Sequence, residues 1–102
     1  MSNLSVNSAR FEELIRGEKP VLADFWASWC GPCRMMSPIV EEIAQEHPEI
    51  EVVKINVDDE PDLAQKYKIM NIPTLLYFRG GEIAKRQIGA VSKTKLESLL
   101  AE

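Results

Sequence analysis

The sequence predicts an α/β domain: a mixed central sheet of four to five strands, flanked by four helices on both faces. Three observations carry this. Apolar runs alternate with segments of helical period in the order β-α-β-α-β-α-β-β-α. The run Val21–Trp26 is apolar on both faces except at Asp24, as expected of a central strand covered from two sides. Gly80-Gly81 joins the last two strands as a hairpin and makes them antiparallel. A helix-bearing crossover joins two earlier strands, which should be parallel with a right-handed connection.

The elements follow in order. Residues 3–6 read as a short edge strand. Asn7 is placed to cap a helix with Phe11, Leu14 and Ile15 on one face, ended by Gly17. A turn at Glu18-Lys19-Pro20 leads into Val21–Trp26. From about Cys33 a long helix presents Met36, Ile39, Val40, Ile43 and Ala44 to the core, with Glu41, Glu42, Gln45 and Glu46 on the wet side. Pro38 should kink it, and His47-Pro48 should end it. Residues 52–57 form a buried strand. Asp58-Asp59-Glu60-Pro61 opens a short helix with an acidic cap and a first-turn proline, ending near Tyr67. Asn71-Ile72-Pro73 is a turn, and Thr74–Arg79 and Glu82–Ile88 are the hairpin strands. Gly89 breaks the second. Ser92 caps a last helix carrying Leu96, Leu99 and Leu100 on one side.

The chain has 102 residues, of which 45% are hydrophobic and 27% charged, which suits one domain, residues 1–102, with one core. The net charge of −4 comes without a basic cluster, so neither nucleic acid nor an anionic membrane is the expected partner. No apolar run approaches the roughly 20 residues of a membrane span. The first residues lack the charged and apolar regions of a signal peptide, and a cytoplasmic location is expected. A monomer is expected. In the cytosol, cysteine pairs that persist are catalytic or metal-binding rather than structural.

Both cysteines lie in Trp29-Cys30-Gly31-Pro32-Cys33, at a strand-to-helix corner beyond the C-terminal end of a strand, where sites form in open α/β sheets. The free N–H groups and positive end of the helix stabilise a thiolate at Cys30 by up to about 2 kcal/mol. One pKa unit is about 1.4 kcal/mol, so a thiol starting near 8.5 becomes substantially ionised at neutral pH. Cys33, roughly one turn on, is within reach to close a disulfide. Gly31 permits the tight turn, and Pro32 stiffens the start of the helix. Zinc needs four ligands, and two cysteines with His47, about 20 Å away at the far end of the helix, do not supply them. No metal is expected.

With these residues in view the sequence resembles the thioredoxin family, from about Ser5 to the C-terminus. The resemblance rests on Ala23-Asp24-Phe25-Trp26-Ala27, the motif from Trp29 to Cys33, Pro38, Lys54 with its neighbours, Ile72-Pro73-Thr74, Gly81 and Gly89. The departures are a short N-terminus and the wording Arg34-Met35-Met36-Ser37, with Arg34 where a lysine is frequent. The resemblance implies a thioredoxin fold and a dithiol–disulfide oxidoreductase. In that activity Cys30 and Cys33 reduce substrate proteins through a mixed disulfide, and thioredoxin reductase recycles the pair with NADPH. No bound cofactor is implied.

Asp24 sits where an apolar side chain is expected, and a buried carboxylate without a partner either costs several kcal/mol or stays protonated. It is read either as a strand-end aspartate bonded to backbone or as a proton acceptor of raised pKa for Cys33, and the resemblance implies the second, acting through water. Lys54 is its natural partner on the adjacent strand, against the alternative of a lysine reaching solvent. Trp29 is read as part of a substrate lip and Trp26 as packing beneath the active loop. The resemblance implies a cis bond at Ile72–Pro73, which would set Ile72 backbone groups against the thiols, where an extended substrate could pair as an added strand. Gly89 either keeps the docking surface flat or serves a turn of positive φ. The substrate-binding surface is thus expected at Trp29, Gly31, Pro32, Ile72, Pro73 and Gly89. His47 is read as a solvated helix-end residue, and the acidic run 58–60 as a helix cap rather than a calcium site. A different class of function stands beside this one: a thioredoxin-fold binding module whose apolar rim serves a partner without chemistry.

Overall fold

In the computed structural model, which describes residues 4–101, the sheet is built on the strand that is apolar on both faces. β1 (Val21–Trp26) pairs parallel with β2 (Glu51–Asn56) and antiparallel with β3 (Thr74–Arg79). β3 pairs antiparallel with β4 (Glu82–Ile88), giving the order β2-β1-β3-β4. The expected first strand is reduced to one parallel bridge, Ser5 to Lys54, with the Lys54 N–H donating to Leu4 and the Val6 N–H donating to Lys54. Asn3, where that strand was expected to begin, lies outside the described residues.

Alternation along β1 sorts its side chains between two cores. Val21, Ala23 and Phe25 pack against α1 (Ser8–Ile15) and α3 (Pro61–Lys66), in a cluster with Phe11, Leu63 and Phe78. Leu22 packs with Met36, Val40 and Ile43 of α2 (Gly31–Glu46) and Leu96 of α4 (Lys93–Ala101). Helices therefore cover both faces, and Asp24, the next residue of Leu22's set, faces α2.

Most local expectations hold. The Asn7 side chain accepts from the Arg10 N–H at 2.9 Å and Ser92 from the Lys95 N–H at 3.1 Å. α2 runs unbroken through Pro38 to a cap at His47. Gly80 and Gly81 have φ of 61° and 83°, as a two-residue hairpin of this twist requires. β2 begins one residue earlier than its apolar pattern because the Glu51 N–H donates to the Pro20 carbonyl and Glu51 registers with Val21.

Two expectations are corrected. Glu60 stands at the N-cap position of α3, but its side chain makes no cap bond there. Its carboxylate instead accepts from the backbone N–H and hydroxyl of Ser8, at 2.7 and 2.6 Å, at the start of α1. His47 is not simply solvated: Nδ1 lies 3.0 Å from Glu49 and Nε2 3.3 Å from Glu97, so the imidazole ties the end of α2 to α4. Among the described residues no helix is long and apolar enough to cross a membrane.

Candidate redox site

β1 ends at Trp26, and four residues later the chain turns into α2 with Cys30 as its N-cap. An extended backbone at Cys30 (φ −91°, ψ 112°) aims the side chain back over the first turn, where its sulfur accepts from the Cys33 N–H at 3.1 Å. Pro32 sits in that turn, where a missing N–H removes no bond. The two cysteines have Cα atoms 5.3 Å apart and are joined as a disulfide. The helix-end N–H that favours a thiolate on Cys30 is thus already in hydrogen-bond contact with that sulfur in the oxidised state.

Both cysteines are nearly buried, Cys30 at 5% and Cys33 at 3% exposure, whereas Trp29 is 66% exposed and Gly31 and Pro32 also face solvent. Trp29 is held by a 2.9 Å bond from Nε1 to Asp58, a partner the sequence reading did not assign to that aspartate. Trp26 is half-buried and packs with Ala27, Cys30 and Cys33, as expected.

The Ile72–Pro73 bond is cis. The Ile72 carbonyl oxygen lies 3.8 Å from the Cys30 sulfur, and the Ile72 side chain packs on the same small cluster. Gly89 joins this edge because its N–H donates to the Pro73 carbonyl at 2.8 Å. Its φ of 92° gives the turn reading of this glycine its physical basis.

Asp24 is 1% exposed, and neither carboxyl oxygen has a hydrogen-bond partner. The backbone-bonded reading is therefore set aside. Burial pushes its pKa from 3.8 up to about 7, against the opposing pull of the Lys54 charge. Lys54 is the register partner of Asp24 across the parallel pair, as expected, and at 6% exposure it does not reach out to solvent. Its ammonium donates to Ser37 Oγ at 2.6 Å and lies 5.0 Å above the Trp26 ring. In the sequence alone Ser37 stands only as part of the departure Arg34-Met35-Met36-Ser37. The signal that could have found it is its spacing, four residues past Cys33 on the same face of α2.

The comparisons with known proteins point one way. The Thioredoxin family model matches residues 2–102. The chain belongs to the thioredoxin family. It is 47% identical to a thioredoxin of Alicyclobacillus acidocaldarius subsp. acidocaldarius over 99% of this chain and 97% of that one. It is 54% identical to a thioredoxin of Porphyra purpurea, over 98% of this chain and 95% of that one. A thioredoxin of Synechocystis sp. is 50% identical, over 93% of this chain and 91% of its own length. Thioredoxins are thiol–disulfide oxidoreductases, and this family member carries the redox-active Cys30–Cys33 pair that the activity requires.

Proposed function

We propose that the pair works by an ordered exchange with each residue in a separate role. In the reduced protein the Cys30 thiolate attacks one sulfur of a substrate disulfide. A Cys30–substrate disulfide forms, the substrate S–S bond breaks, and one substrate thiolate leaves. Asp24 accepts the proton of Cys33, whose thiolate then attacks Cys30. The second substrate thiolate leaves, and the Cys30–Cys33 disulfide remains. Two electrons pass from the protein to the substrate. Lys54 modulates the charge of Asp24. Trp29, Gly31, Pro32, Ile72, Pro73 and Gly89 form the surface on which the substrate chain is laid. The acceptor partners are disulfide-containing proteins. Thioredoxin reductase restores the dithiol, and residues 1–102 act as one domain, as a monomer in the cytoplasm.

The observation that carries the assignment of nucleophile and resolver is the 3.1 Å contact of the Cys33 N–H with the Cys30 sulfur. It stabilises charge on Cys30 and none on Cys33. Insulin reduction with dithiothreitol tests it. Cys30→Ser should abolish turnover, and Cys33→Ser should accumulate a mixed disulfide at Cys30. Wild-type rates in both variants would leave the binding-module alternative standing.

A further inference from the structure

Ser37 has no part in the exchange as described, yet it makes the shortest polar contact of the buried charge pair. Asp24 and Lys54 are register partners on adjacent parallel strands, and both side chains are buried. An ammonium in that position has a carboxyl directly across the strand pair. Its hydrogen bond goes instead to Ser37 Oγ, at 2.6 Å, while both Asp24 oxygens are left without one. Ser37 is carried by α2 one turn beyond Cys33. The two residues line a shared pocket of about 240 Å³ with Lys54 and Trp26.

One ammonium therefore has two seats: on the Ser37 hydroxyl, or closed on Asp24. Closed, it would hold the carboxyl as an anion with little affinity for a proton. Seated on Ser37, it acts from farther off, and its attraction falls with distance. We propose that Ser37 is a positioning residue for the second half of the exchange, its hydroxyl holding the Lys54 ammonium on the α2 face and off Asp24, which leaves the carboxyl free to take the Cys33 proton. This rests on the reading of Asp24 as the proton acceptor. The balance of the reaction is unchanged: the Cys33 proton moves to Asp24, and Ser37 neither gains nor loses one.

The test compares wild type, Ser37→Ala and Ser37→Thr. Carboxyl ¹³C NMR follows the titration of Asp24. In Ser37→Ala the midpoint should fall by about one pH unit as Lys54 closes on the carboxyl, and in Ser37→Thr it should stay. Resolution of a Cys30-linked mixed disulfide, followed against pH, should slow about threefold at its plateau in Ser37→Ala, for a Brønsted slope of about 0.5. In an Asp24→Asn background Ser37→Ala should add nothing. An Asp24 midpoint that is unchanged or raised in folded Ser37→Ala overturns the proposal, as does equal slowing in both backgrounds. Wild-type resolution in Asp24→Asn alone would remove the proton-acceptor role, and the NMR midpoint would still decide where Ser37 holds the ammonium.

Discussion

Replacing Asp24 by Asn should remove this carboxyl's share of the stability that the wild type loses as pH rises. In the folded chain the carboxyl titrates near 7, and in the unfolded chain near 3.8. A group whose folded value is raised binds more protons folded than unfolded between those limits. The folded state is therefore favoured least at high pH, and stability falls as pH rises from about 4 through 7. Once the carboxyl is ionised in both states, the shift from 3.8 to about 7 corresponds to about 4 kcal/mol against folding. At pH 5 the unfolded chain has already ionised and the folded one has not, so part of that cost is present. The loss between pH 5 and pH 8 from this residue is about 2–3 kcal/mol.

Urea unfolding of the oxidised protein at pH 5 and pH 8, followed by tryptophan fluorescence, measures it. Asn at this site leaves a buried amide without partners, a cost that does not vary with pH. The test is therefore the difference between the two pH values and not the absolute stability of the variant. Wild type should lose about 2–3 kcal/mol more than Asp24→Asn on going from pH 5 to pH 8. Parallel losses in the two proteins would mean that the carboxyl titrates in the folded state near its ordinary value. A proton acceptor tuned by burial would then have no physical basis.

Two ionisable contacts away from the dithiol make further predictions of opposite sign. The Ser8 hydroxyl and N–H hold the Glu60 carboxyl below its ordinary 4.5, so its contribution is present above that value and lost as pH falls through the folded one. Glu60→Gln should be less stable than wild type at pH 7 in thermal melts, with the gap closing as pH falls from 4.5 through the lowered folded value. Hydrogen bonds to Glu49 and then Glu97 raise the His47 pKa above 6.5, so its contribution is present below 6.5 and lost as pH rises through the folded value. His47→Gln should lower the melting temperature at pH 5 and leave it close to wild type at pH 9; an equal drop at both would assign His47 a packing role instead.

What could be read from the sequence was what local pattern encodes. The apolar run 21–26 marks the inner strand because both its faces are covered, and the 3.6-residue period of Met36, Val40 and Ile43 marks the buried side of α2. The dithiol was legible because two cysteines at one spacing carry the chemistry. The contacts that escaped are pairings between distant positions with no periodic signature. Glu60 reaches Ser8 across 52 residues, His47 reaches Glu97 across 50, Trp29 reaches Asp58 across 29, and Lys54 reaches Ser37 across 17. An acidic residue before a proline reads as a helix cap from sequence alone. Only the packing of α1 beside it offers the carboxylate a better pair of donors.

The exposure of the two sulfurs bears on which disulfides this chain can reduce. A thiolate reacts at a rate set by ionisation and by access. The helix end supplies the first, and the second is restricted, since Cys30 keeps 5% exposure beside a Trp29 that keeps 66%. A disulfide recessed in a folded surface could not bring its sulfur to such a position. One on an extended segment could, with a backbone N–H of that segment donating to the Ile72 carbonyl oxygen, 3.8 Å from the attacking Cys30 sulfur. On the proposed docking at Ile72, selectivity would follow from the substrate's backbone conformation more than from its side chains.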